Sequence, residues 1–130
     1  MTLLVIRHGE SEADLLDVHE GRADFELTER GHNQAEAMAR FVSENYSVSK
    51  IYCSTLKRAY QTAKHLSDAT GAALTPDERL MEFNNGLIAG LERSVAREKY
   101  PYTPMPIHDA VMNRNRRWSS DSGRIICCRR

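Results

Sequence analysis

The sequence predicts one α/β domain built on a mostly parallel sheet, and three observations carry that prediction. Leu3-Leu4-Val5-Ile6 is a short apolar run of buried-strand character. Apolar residues then recur at helical spacing across Ala35, Met38, Ala39 and Val42, and a second short run, Lys50-Ile51-Tyr52-Cys53, is followed by another helical pattern. A strand-helix-strand-helix order implies parallel strands joined by right-handed crossovers.

Each element has its own local reason. The stretch from Arg7 through Gly21 and Asp24 has loop character, with scattered polar residues and no period. Thr28 is a suitable N-cap for the first helix, which runs about four turns with Arg40 and Glu44 on its outer face. Leu56, Ala59, Tyr60, Ala63 and Leu66 mark the apolar face of the second helix, and Gly71 can end it in a left-handed conformation. Ala73–Thr75 is a brief third extended piece before Pro76. Val95–Tyr100 reads as a short helix ahead of Pro101, Pro104 and Pro106.

Composition sets the class. With 130 residues, 41% of them hydrophobic, and 18 basic against 18 acidic side chains, the chain is long enough for one packed core and is formally neutral. Leu3–Ile6 is too short for a signal-peptide apolar region and runs straight into Arg7-His8, so neither export nor a membrane partner is expected. Cys53, Cys127 and Cys128 are odd in number and lack metal-ligand spacing, which fits a reduced, cytoplasmic setting with no metal and no cofactor.

Chemistry converges from separate parts of the chain. His8, with Arg7 beside it, lies at the C-terminal end of the first strand, where open α/β sheets place their sites. Imidazole is a competent nucleophile toward phosphorus, and a guanidinium holds phosphate oxygens bidentately at any relevant pH. Arg58 falls in the first turn of the second helix, whose amides already favour an anion. If the first two strands are neighbours, Arg58 and Arg7 face one pocket. Glu82, in the loop-like run Leu80–Gly86, is a carboxylate able to protonate a leaving alkoxide. Taken singly, each of these residues has an ordinary structural reading. His32 and His65, on the two helices, read as surface residues.

Four motifs in order strengthen the case: Arg7-His8-Gly9-Glu10-Ser11; Gly21-x-x-Asp24-x-x-Leu27-Thr28-x-x-Gly31-x-x-Gln34-Ala35; Ser54-x-Leu56-x-Arg58-Ala59-x-Gln61-Thr62-Ala63; and Leu80-x-Glu82-x-x-x-Gly86-x-x-x-Gly90. Over residues 2–92 the chain closely resembles the histidine phosphatase superfamily, the phosphoglycerate mutase-like group. The resemblance implies a three-layer α/β sandwich, incomplete here at the C-terminus. It also implies His8 as the residue transiently phosphorylated, Arg7 and Arg58 as the phosphate clamp, Glu82 as proton donor, and Ser11, Asp14 and Gly21 as substrate-pocket candidates. Many members carry Asn where this chain has Asp14. The implied reaction is phosphomonoester hydrolysis through a phosphohistidine on a small phosphorylated metabolite. Mutase-type phosphotransfer and a non-catalytic phosphate-binding remnant stand as alternatives, while substrate identity and oligomeric state stay open.

The family also implies a second histidine in a Ser-His-Gly-type turn, and the sequence contains no such turn; His19, His32, His65 and His108 sit in other contexts. Charge shifts abruptly nearby. Residues 112–130 hold six Arg against Asp121, leaving residues 1–111 with twelve basic and seventeen acidic side chains. Residues 1–111 therefore read as the amino-terminal part of the domain and 112–130 as a basic tail, out of frame or disordered. Six Arg and Trp118 without a defined motif are weak grounds for a nucleic-acid partner, which is not expected. Shifting the frame by two nucleotides from Met112 permits codons for an acidic amphipathic helix. Sequencing the gene and its downstream frames is expected to reveal a Ser-His-Gly turn in the shifted frame; its absence from every frame would overturn the frameshift reading.

Overall fold

The computed structural model describes residues 2–101 and the strand at 124–127. In chain order the elements are β1 (Leu4–Ile6), α1 (Glu12–Leu16), α2 (Glu29–Asn45), β2 (Lys50–Cys53), α3 (Lys57–Thr70), β3 (Ala73–Pro76), α4 (Arg93–Lys99) and β4 (Arg124–Cys127). Two single 3-10 turns, Glu78–Leu80 and Gly86–Ile88, lie between β3 and α4. All the strands are parallel, in the order β1-β4-β2-β3.

That order accounts for the placement of the two long helices. Both β1 to β2 and β2 to β3 advance in the same direction across the sheet, so right-handed crossovers put α2 and α3 on the same face. The core lies between them and the sheet: Ala39 and Val42 of α2, Ala63 and Leu66 of α3, and Ile51 and Cys53 of β2 are all buried, with Leu4, Ile6, Met38 and Leu74 packed against them. Strand alternation sends Val5 to the opposite face, where it is 64% exposed.

The helix ends follow the sequence. The Thr28 hydroxyl accepts from the Gly31 amide at 3.0 Å, and Gly71, at φ +70°, closes α3 in the left-handed region. Tyr60 departs from the expected core face: it is 41% exposed, and Arg58 and Thr62 are buried in its place. The α3 helix thus turns a polar stripe inward at its N-terminal end, toward the loops above the sheet.

Three differences from the sequence reading stand out. A five-residue helix, α1, interrupts the expected loop after His8; a left-handed Asp17 at φ +49° ends it. A fourth strand, β4, pairs on both sides within the sheet, so β1 and β2 are not neighbours. The proline-rich stretch after Pro101, including His108, and residues 112–123 and 128–130 lie outside the described residues.

The turn after β1 and the first turn of α2 touch backbone to backbone. A Cβ at Gly31 would sit 2.0 Å from the Glu10 carbonyl oxygen, and one at Gly9 would sit 2.4 Å from the Gly31 carbonyl oxygen. Backbone cannot yield as the end of a side chain can. Gly31→Ala is therefore expected to lower stability by about 1–3 kcal/mol through overpacking. Gly71→Ala, which meets nothing within 4 Å but sits at positive φ, is expected to cost about 1–2 kcal/mol through strain alone. Urea midpoints check both, and a neutral Gly31→Ala would refute the close approach.

Candidate active site

The strand ends and the loops above them assemble a polar cluster around His8 and Arg58. His8 follows β1, and its Nδ1 lies 2.7 Å from the Gly9 carbonyl oxygen. A carbonyl can only accept, so in the neutral ring this contact puts the proton on Nδ1 and the lone pair on Nε2. The ring is largely enclosed, with a side-chain exposure of 12%. Its Nε2 faces the Glu20 carboxylate, with Oε2 at 3.8 Å.

Arg58 enters from the first turn of α3 and is buried at 1% exposure. Its Nη1 donates to the Ala23 carbonyl at 3.0 Å, and Nη2 donates to the Gly21 carbonyl at 2.9 Å and to Glu82 Oε2 at 2.8 Å. The remaining face, Nε, lies 3.4 Å from Glu20 Oε1. A guanidinium taken out of water needs such partners, since an unpaired buried charge is strongly destabilising. Asp24 supports the arrangement by accepting from the Lys57 amide at 2.7 Å at the start of α3, and Lys57 Nζ pairs with Glu26 at 2.8 Å on the same loop.

Ser11 is fully buried and lies where α1 begins. Its amide donates to Asp14 Oδ2 at 2.9 Å, and its hydroxyl donates to Glu20 Oε1. Burial alone would push the Asp14 carboxyl up, but the Ser11 amide and hydroxyl, with Arg7 and His8 adding positive charge nearby, hold it below its ordinary value. Gly21, at φ +52°, turns its carbonyl onto Arg58, and a Cβ there would meet the Asn85 side chain.

His8, Arg58 and Glu82 are thus joined through a short chain of contacts. Ser11 and Asp14 cap α1, and Gly21 holds Arg58. Arg7 is set apart from Arg58: it is half exposed, and its Nη2 lies 3.9 Å from Asp14 Oδ1. With β4 between β1 and β2, the strands that lead to the two arginines are not neighbours, and Arg58 does not line the two openings that Arg7 borders. Arg7 instead borders an opening of about 260 Å³ that it shares with His8, Glu10, Asp14 and Gln34. Sequence reasoning missed Glu20, which touches His8, Ser11 and Arg58 together; the flanking Asp17 and Gly21, both turn formers, were the available signal. His32 and His65, expected at the surface, meet across α2 and α3 with Nδ1 and Nε2 3.0 Å apart and half buried. Among the described residues no group of three or more His, Cys, Asp or Glu could hold a metal ion, and no helix is long and apolar enough to cross a membrane.

Comparison with known proteins agrees with this geometry. Residues 3–121 match the family described as the histidine phosphatase superfamily (branch 1). The chain is 34% identical over 99 residues to phosphoserine phosphatase 1 of Hydrogenobacter thermophilus, covering 76% of this chain and 46% of that protein. It is also 34% identical over 103 residues to a 2,3-bisphosphoglycerate-dependent phosphoglycerate mutase of Mesorhizobium japonicum, covering 76% of this chain and 50% of that one. Among solved structures, a mycobacterial glucosyl-3-phosphoglycerate phosphatase in complex with VO3 superposes with a TM-score of 0.71 at 33% identity, covering 76% of this chain and 47% of that one. The chain spans about half the length of the curated relatives it matches.

The lowered Asp14 pKa fixes the sign of a pH effect. Its folded-state pKa lies below the ordinary 3.8, so its contribution is fully present above that value and is lost as pH falls below it. Asp14→Ala is expected to cost about 1 kcal/mol at neutral pH, the usual worth of a helix cap, with the gap to the parent chain narrowing below pH 3.8. Urea midpoints measured from pH 7 downward check this. A gap that widens in acid would contradict it.

Proposed function

Because the chain belongs to the histidine phosphatase superfamily, we propose that it transfers the phosphoryl group of a small phosphorylated metabolite to His8 Nε2 and passes it on to water. The observation that carries this reading is the His8 Nδ1 contact to the Gly9 carbonyl at 2.7 Å, which selects the neutral tautomer whose lone pair is on Nε2, facing the buried Arg58 cluster. In the first step the Nε2 lone pair forms the bond to phosphorus as the ester P–O bond breaks, and the departing alkoxide takes its proton from Glu82. In the second step water attacks the phosphohistidine, Glu82 recovers the proton, and free His8 is restored with release of phosphate.

Arg58 has an electrostatic role, which Arg7 shares only by turning inward from Asp14. Charge spreads over the equatorial oxygens in the transition state, and fixed guanidinium donors stabilise it without reorganising. The relatives of known chemistry act on metabolites of this kind, by their names phosphoserine and phosphoglycerates. The curated relatives include both phosphatases and mutases, and the solved structure reported above is a phosphatase, which supports hydrolysis. The sequence has no Ser-His-Gly turn, and on that account we read steady turnover as reduced or lost while the first half of the reaction remains.

The test is a chromogenic phosphomonoester followed both as a burst and at steady state. An acid-labile phosphoenzyme is expected, absent in His8→Ala. Arg58→Ala is expected to slow its formation on the order of 10²–10³-fold, by analogy with removal of a transition-state donor. Phosphate release unaffected by His8→Ala would reject the reading.

A further inference from the structure

Among the described residues, Glu20 is the one acidic side chain that reaches all three groups on which a phosphate would be received. Its Oε1 accepts from the Ser11 hydroxyl and lies 3.4 Å from Arg58 Nε, and its Oε2 lies 3.8 Å from His8 Nε2. The carboxylate is enclosed, with 16% of its side chain exposed. The loop carrying it is pinned on both sides. The Ala23 amide donates to the Glu20 carbonyl at 2.9 Å, and residue 19 exchanges two backbone hydrogen bonds with Leu91 and Gly90.

Accounting for the Arg58 donors sharpens the point. A guanidinium has five N–H groups. Three are given to Gly21, Ala23 and Glu82, and Nε is turned to Glu20. An incoming phosphate that bonds Arg58 at Nε while approaching His8 Nε2 must therefore take the place that the Glu20 carboxylate holds. Two anions on one guanidinium repel, and the repulsion is stronger in an enclosed site than in water.

We propose that Glu20 is a built-in competing anion: it occupies the phosphoryl-receiving position between Arg58 and His8 and weakens binding of phosphate there until it is displaced. This inference rests on the reading of the His8 and Arg58 cluster as a phosphate site. Glu20 is accordingly a specificity-determining residue. It keeps free inorganic phosphate from filling the site and favours esters whose organic part adds binding elsewhere, such as the opening beside Arg7 and Gln34.

Removing the charge while keeping the shape tests this directly. Glu20→Gln retains an acceptor for the Ser11 hydroxyl and presents an amide donor to the anion. Titration calorimetry of the full chain with inorganic phosphate is expected to show at least tenfold tighter binding in Glu20→Gln, with the same direction in Glu20→Ala. Adding His8→Ala to Glu20→Gln is expected to weaken binding again, because His8 Nε2 borders the position that Glu20 holds. If the parent chain binds phosphate as tightly as Glu20→Gln, and His8→Ala weakens both, the competing-anion proposal falls and the phosphate-site reading stands. If Glu20→Gln binds no phosphate, or binds it without regard to His8→Ala, both fall. Urea midpoints of the two Glu20 variants separate a loss of fold from a loss of site.

Discussion

One buried charge organises the upper surface of this protein. Arg58 sits in the first turn of α3 at 1% exposure, and a guanidinium there is tolerable only with its donors satisfied. The partners come from chain segments far apart in sequence: the carbonyls of Gly21 and Ala23, the carboxylate of Glu20, and the carboxylate of Glu82. Two loops that share no secondary structure with α3 are thereby drawn onto its N-terminal end. Withdrawing the guanidinium would leave two carboxylates facing each other across the vacated space, so the same residue secures loop geometry and electrostatic balance.

Around that centre, three amide or hydroxyl side chains tie the loops to the helices by donating no charge at all. Gln34 on α2 accepts from the Glu10 amide at 2.8 Å, Gln61 on α3 accepts from the Leu27 amide at 2.8 Å, and Thr62 accepts from the Gly9 amide at 3.1 Å while donating to the Arg58 carbonyl at 2.8 Å. Each satisfies a main-chain donor that no ladder or helix serves. The contact between Gly9 and Gly31 then lets the turn bearing His8 lie directly on α2. Loop position is therefore set by backbone contacts to rigid helices, which is what a site needs if its nucleophile is to stay aimed.

The sequence reveals these features unevenly, for physical reasons. Long periodic elements are legible: Ala35, Ala39 and Val42 on α2 and Ala59, Ala63 and Leu66 on α3 are buried as their spacing requires. Tyr60 misleads because polar Arg58 and Thr62 take the inward positions at the helix start, where loops rather than sheet must be met. The α1 helix is too short to show a period, and its signal is the pair Ser11 and Asp14 closing its first turn. Strand β4 is only four residues long and begins on Arg124, and its pairing on both edges is a property of the sheet rather than of the segment. At the site, His8, Arg58 and Glu82 are legible because each residue type fits phosphoryl transfer. Glu20 is not, because Asp17 and Gly21 signal only a turn, while the fold back over His8 depends on both adopting left-handed conformations.

The position of β4 also explains why a loop carboxylate, rather than the second arginine, stands beside His8. The register sets Ile6 and Cys53 on either side of Cys127, so the ends of β1 and β2 are two strand spacings apart, about 10 Å. Arg7 and Arg58 leave from those two ends. Arg58 turns toward the loops and Arg7 turns outward to Asp14, which leaves a gap between them. The Asp17–Asp24 loop crosses that gap, since it is tethered near β1 through Ser11 and near α3 through Asp24 and the Lys57 amide. A side chain at its middle must fall between His8 and Arg58, and that side chain is Glu20. The charge of one loop residue, and not the spacing of the strands, then decides how readily the cluster accepts a second anion.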